Sequence, residues 1–167
     1  MQLFPSPKAS NKDALIGAIG AAISMAVTWL VCDALLDSVS PILALSMGAS
    51  AVILFTMPHA PAAQPVPLIL AHCVAAFWGV LSAQLFDNTA LAVGVAVGVH
   101  AGLMVRFGYM HPPSGGTALT AVIGGEAVTK LGYSLIWRPV LLNAVLLVLL
   151  AIVINAPLAW RRYPAKS

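Results

Sequence analysis

The sequence predicts an all-α membrane protein, a small helical bundle of about six membrane elements, some short or broken, forming two inverted three-element repeats. Three observations predict it. Hydrophobic residues make up 60% of the 167-residue chain and charged residues 8%, whereas a soluble domain carries about a quarter charged residues. The charges are clustered: none lies between Asp37 and Asp87, between Arg106 and Glu126, or between Arg138 and Arg161. Apolar stretches of about 18 residues or more read as transmembrane helices. Finally, six crossings place Lys8, Lys12, Arg106, Arg161, Arg162 and Lys166 on one side and leave Lys130 and Arg138 on the other. Basic residues favour the cytoplasmic side, so both termini are expected in the cytoplasm.

The elements follow in order. Residues 1–13 form a cytoplasmic tail with Lys8 and Lys12, and residues 14–160 form a single transmembrane domain. Span one covers about 14–35 and is closed by Asp33 and Asp37. Its apolar run is longer than a signal-peptide core and ends in no clear cleavage site, so it reads as retained. Span two runs from Pro41, a first-turn residue, to Met57. "PHAPAAQPVP" follows, a stiff non-helical loop because its prolines cannot donate hydrogen bonds. Span three covers about 68–86 and contains His72; Asp87 and Asn88 make a turn; span four covers about 89–105. The segment "RFGYMHPPSGGTALTAVIGGE", residues 106–126, is too rich in glycine and proline for an ordinary span. The last span runs from Pro139 to about Trp160, and residues 161–167 form a basic cytoplasmic tail.

Repeat one covers about 14–86 and repeat two about 89–160. "GASAV" (48–52) and "GGTAL" (115–119) share the order small, small, hydroxyl, Ala, apolar, each on the second element of its unit. Each unit opens with small residues at four-residue spacing: Ala14, Ala18, Ala22 and Ala26 in the first, Gly94, Gly98 and Gly102 in the second. Such stripes let helices approach closely. Two three-element units must have opposite orientation, a plan common among transporters.

The broken segment carries the chemistry. Pro112 and Pro113 restrict the residues before them away from the α region, so the chain cannot enter as a helix. A short helix is expected from about Ser114, its first N–H groups unpaired and pointing back toward His111. Irregular backbone at membrane depth is tolerated only inside protein or beside a wet cavity, and a helix start favours anions. The candidate substrate-binding residues are His111, Pro112, Pro113, Ser114, Gly115, Gly116 and Thr117, with Gly48, Ser50, Gln64, Pro65 and His72 from the first unit. Gly115 and Gly116 allow close approach of a helix or a solute. Polar residues inside spans usually face the interior or a pathway, although a buried His also serves packing by bonding a carbonyl. For His100, packing is the expected role. Glu126 and Lys130, four residues apart, are expected to be an exposed helix pair.

At these residues the chain resembles a known family. "MHPPSGGTAL" is similar to the signature of the HPP family of integral membrane proteins. "SMGASAVILFTMPHAPAAQP" resembles its Gly-Ala-Ser-Ala-Val block and Ala-Gln-Pro loop, and "NAPLAWRRYP" its closing segment. The resemblance covers about residues 12–165. It implies four spans and a transporter, with plant chloroplast relatives linked to nitrite movement. It carries functional roles onto His111, Pro112, Pro113, Gly115, Gly48, Ser50, Gln64, Pro65 and His72. Ser114 and Gly116 stand where relatives often have Ala, and Ala71 where Gly is common, which bears on the solute more than on the fold.

The expected function is therefore transport or channelling of a small solute, foremost a small inorganic anion such as nitrite. A metal-ion permease and a non-transporting scaffold or regulatory subunit are the alternatives. His and Met residues are metal ligands by type, but no two His show ligand spacing. No catalytic set is visible, so no enzyme activity and no cofactor are expected. Cys32 and Cys73 read as packing residues. The lipid bilayer and the solute are the expected partners, nucleic acid is not, and the chain's small size favours a homo-oligomer. No transit peptide precedes the first span, and the bacterial inner membrane is the expected location.

Overall fold

A computed structural model describes residues 10–36 and 40–165. Every regular element among them is helical: α1 (Asn11–Leu36), α2 (Ser40–Thr56), α3 (Pro65–Leu85), α4 (Thr89–Phe107), α5 (Gly115–Ile123), α6 (Glu126–Thr129) and α7 (Leu142–Asn155). Lys8, Asp37 and Lys166 lie outside the described residues.

The lengths explain why four spans and six elements are both reasonable counts. Among the described residues, four segments are long and apolar enough to cross a bilayer: Asn11–Leu35, Pro65–Leu85, Thr89–Phe107 and Ile136–Asn155. Helix α2 has 17 residues and α5 only 9. At 1.5 Å per residue these are about 25 Å and about 14 Å long, so α5 is a half-helix. The last span starts earlier than its apolar pattern suggested, because a π-type turn at Ile136–Leu141 absorbs Pro139, whose ring cannot sit in a regular helix interior. It also ends earlier, at Asn155, shortly before Pro157.

Local chemistry sets the helix ends. The Ser10 hydroxyl accepts from the Asp13 N–H at 3.1 Å, and Asn88 accepts from the Leu91 N–H at 3.0 Å, the usual capping arrangement. Gly108 ends α4 with φ +75°, a conformation that suits glycine. Glu126 and Lys130 form the expected exposed pair at 2.7 Å.

The packing stripes differ from those read in the sequence. Ala14, Ala18, Ala22 and Ala26 are exposed, and α1 packs through Gly17, Gly20, Ser24 and Thr28. Glycine is needed there because Phe55 of α2 lies across it. A Cβ at Gly17 would sit 3.0 Å from the Phe55 carbonyl oxygen, and one at Gly20 would enter the Phe55 ring. On α4, Gly94, Gly98 and Gly102 are exposed, and Ala92, Ala96, His100 and Met104 form the packed face. In an apolar helix alanine carries no facial information, whereas the small polar residues at turn spacing do.

One core joins Met47, Leu54 and Phe55 of α2 to Leu147 and Ala151 of α7. Ala75 of α3, Ala96 of α4 and Ala118 of α5 meet in a second contact, where small side chains let three backbones converge. Outward-facing Leu15, Ile19, Leu30, Val105 and Val153 are largely exposed, as a lipid-facing surface requires.

Both ends of the described chain lie on one face of the bundle. Arg161 Nη1 donates to Asp13 Oδ1 at 3.1 Å and Arg161 Nη2 to the Phe55 carbonyl at 2.5 Å, while Tyr163 donates to the Ala63 carbonyl at 2.7 Å. The described part of the tail is therefore docked against the bundle through Arg161 and Tyr163.

Candidate functional site

The proline loop and the broken segment meet inside the bundle. After Gly108 the chain turns back inward through Tyr109, Met110 and His111, makes a 3-10 turn at Pro112–Ser114 and enters α5. Ser50 lies six residues before the end of α2, His72 seven after the start of α3, and His100 seven before the end of α4. All three thus sit about 10 Å along their helices from the same end of the bundle.

Three histidines and three hydroxyls, all fully buried, form the site. Ser50 Oγ lies 2.8 Å from His72 Nε2 and 2.8 Å from His111 Nε2. His72 Nδ1 lies 2.6 Å from Thr117 Oγ1, and His111 Nδ1 lies 2.6 Å from the Ala62 carbonyl oxygen. Ser114 Oγ lies 2.6 Å from His100 Nε2 and 2.6 Å from the His111 carbonyl. The His72 and His111 rings are 5.1 Å apart.

One constraint orients every proton in the first chain. A carbonyl oxygen only accepts, so His111 Nδ1 carries the hydrogen and, with a neutral ring, His111 Nε2 accepts from Ser50. Ser50, having donated, accepts from His72 Nε2–H, and His72 Nδ1 accepts from Thr117. The same logic applies at Ser114. Its hydroxyl must donate to the His111 carbonyl at 2.6 Å, so His100 Nε2 donates to Ser114. His100 Nδ1 is left as a buried lone pair with no partner.

The start of α5 differs from the expected anion-binding helix end. Pro112 and Pro113 have no N–H groups, the Ser114 N–H goes to the His111 carbonyl at 3.1 Å, and the Gly115 N–H to the Pro112 and Pro113 carbonyls. The 3-10 turn consumes the donors that an abrupt helix start would leave free.

Of the residues singled out in the sequence, Ser50, His72, His111, Ser114 and Thr117 come together. Gly116 packs against Ser46, where an added Cβ would lie 3.5 Å from its Cα, and Gly48 and Gly115 are half-buried with open space beside them. Pro112 is exposed, Pro113 half-buried, and Pro65 starts α3. Gln64 is a clasp: its amide donates to the Pro58 and Ala60 carbonyls at 3.0 Å each, and its oxygen accepts from the Ala165 N–H at 2.9 Å. It thereby holds the loop that presents the Ala62 carbonyl.

Sequence reasoning gave His100 a packing role, whereas it joins the network through Ser114. Its spacing from Met104, one helical turn, marked their shared face but not the partner. Asn143 is also buried and accepts from the Cys32 thiol, an inter-helix contact between α7 and α1. Among the described residues no three His, Cys, Asp or Glu side chains are grouped to hold a metal ion.

The chain matches the family description "HPP, transmembrane region" over residues 6–164. It is 36% identical over 133 residues to a transmembrane protein of Dictyostelium discoideum, covering 77% of this chain and 46% of that protein. To a second Dictyostelium discoideum transmembrane protein it is 36% identical over 128 residues, covering 71% of this chain and 39% of the relative. The chain thus spans less than half the length of these curated relatives. No solved structure matches it. With a family match over nearly its whole length, His111 of the histidine–proline–proline turn in its buried network, and apolar helices able to cross a bilayer, the chain belongs to the HPP transmembrane family.

Proposed function

We propose that the chain is a transporter or channel for a small solute, with a small inorganic anion such as nitrite as the first candidate. The observation that carries this reading is the buried network itself: six polar side chains on α2, α3, α4, α5 and the turn before α5, gathered at membrane depth around a broken backbone. Polar groups are expensive there and tend to mark pathways. An anion is favoured over a metal or alkali cation because no Asp or Glu is among the buried side chains of the described residues, while histidine becomes positive on protonation. On this reading the chain moves a solute, as a transporter or channel, and is not an enzyme.

We read the helices as an inverted repeat, a plan that suits alternating access. Helix α1 packs on α2 as α4 packs on α5, α1 on α7 as α4 on α3, and α2 on α7 as α5 on α3. Exchanging α1–α2–α3 with α4–α5–α7 therefore preserves the contact pattern. The basic residues favour cytoplasmic termini; a bacterial inner membrane is the location proposed with this reading.

The test is flux into vesicles of the purified full chain, nitrite against nitrate, chloride and formate. Selective uptake that falls to the protein-free background in a folded His111→Ala variant supports the site. No movement of any of these solutes by monodisperse protein sinks the reading.

A further inference from the structure

We infer that the solute binds together with its proton, as an undissociated weak acid, and that His100 Nδ1 is the atom that receives this proton. The inference rests on the transport reading and specifies its substrate class. It follows from which hydrogen-bonding capacities the network has left. The hydrogens of Thr117, Ser50 and Ser114 are committed to His72, His111 and the His111 carbonyl. Those of His72, His111 and His100 are committed to Ser50, the Ala62 carbonyl and Ser114. The prolines and the 3-10 turn remove the donors at the start of α5. The resting cluster therefore offers a bare anion no donor. What it leaves open is an acceptor, His100 Nδ1, on a side chain with no exposed surface.

A buried acceptor is satisfied by a species that brings a hydrogen. When an acid HA meets the ring, its O–H bond breaks and an Nδ1–H bond forms. The ring becomes an imidazolium, and the conjugate base keeps the electron pair and is held by the new N–H as a charge-assisted bond. No electron changes hands, and the proton leaves with the solute by the reverse step. The titratable groups near His100 are His111 from the turn before α5, His72 on α3 and Tyr109, whose ring lies 6.5 Å away. Arg161 is the one charged side chain buried among the described residues, and it is held at the end face by Asp13 and Phe55. No fixed carboxylate competes for the anion's place, and no fixed cation substitutes for the proton.

A groove of about 450 Å³ lined by Val74, Phe77, Trp78, Leu103, Phe107 and Tyr109 opens on the apolar surface beside Tyr109, the neighbour of His100. A neutral acid enters such a surface far more readily than an ion. Anions of weak acids, nitrite and formate, are thus substrates, while nitrate and chloride, whose acids are strong, are excluded.

The experiment uses the full chain in vesicles with a trapped pH indicator and the potential set by potassium and valinomycin, each signal taken as the increment over protein-free vesicles. Nitrite uptake matched by luminal acidification, and unchanged by an inside-negative potential, supports the inference. His100→Gln keeps an N–H for Ser114 but takes up no proton, and coupled uptake should drop about tenfold or more. Protein-dependent nitrite uptake without acidification, slowed by an inside-negative potential, overturns it and leaves the transport reading standing. Nitrate carried as fast as nitrite overturns it too. Absence of any solute movement sinks the transport reading and this inference with it.

Discussion

The imidazole of His111 and the carbonyl of Ala62, 2.6 Å apart, determine the polarity of the hydrogen-bond chain that runs through Ser50 and His72 to Thr117. The carbonyl belongs to the proline loop, whose N–H groups bond the Met57, Ala60 and Pro61 carbonyls and leave that of Ala62 to His111. The loop and the HPP turn are each incomplete alone and complete one another.

That relationship predicts ring tautomers. At neutral pH the hydrogen of His111 is on Nδ1, and those of His72 and His100 are on Nε2. Nitrogen-15 NMR of the histidine-labelled protein reads this directly. An Nε2–H form of His111 would reverse the chain and remove its basis.

Ser50 bridges two rings, so Ser50→Ala leaves two buried ring nitrogens without a partner. Each such loss costs about 1–3 kcal/mol. Thr117→Val, close in shape, unpairs one. Thermal unfolding in detergent should rank Ser50→Ala below Thr117→Val and both below the parent; equal stabilities would show that the network is not closed as described.

Helices α3 and α5 approach closely at Gly79. A Cβ there would lie 2.5 Å from Ala121 Cβ and 2.7 Å from the Ala118 carbonyl. Gly79→Ala is therefore overpacked and should cost about 1–3 kcal/mol, displacing α5 and with it Thr117. Gly98→Ala on α4 has open space and serves as the control, expected to be neutral or slightly stabilising. If the two variants unfold alike, the close crossing does not exist.

Arg161 and Tyr163 fasten the tail. Arg161→Ala unpairs the buried Phe55 carbonyl, a loss of about 1–3 kcal/mol, while Asp13 keeps Ser10 and Trp160 as donors; it is seen as faster proteolysis after residue 155 and a lower unfolding temperature. Burial pushes the Tyr163 hydroxyl up from its ordinary value of about 10. The folded state keeps the phenol neutral while the unfolded chain ionises, so its contribution is intact below about pH 10 and declines above it. Tyr163→Phe should flatten that alkaline decline. An identical alkaline profile for parent and variant would place the sensitivity elsewhere.

Much of this was legible in the sequence, because the forces involved are local or set by the solvent. Long uncharged apolar runs can only be satisfied as helices in lipid. Pro112 and Pro113 dictate a break wherever they occur, and the alternation of crossings places the chain ends together. His111, Ser50, His72, Ser114 and Thr117 were identifiable as polar residues in apolar surroundings. Tertiary structure decided what no local rule contains. Phe55 selected Gly17 and Gly20 over the alanine stripe of α1, since a helix apolar all round has no face until a neighbour supplies one. The 3-10 turn used the N–H groups that the proline pattern alone left free. His100 gained a role because Ser114 is carried to it by a re-entrant chain, and hydrogen-bond direction came from a carbonyl 49 residues away. Composition and breakers fix where each segment lies relative to the membrane; which polar atoms meet, and which one is left without a partner, depends on how the segments pack.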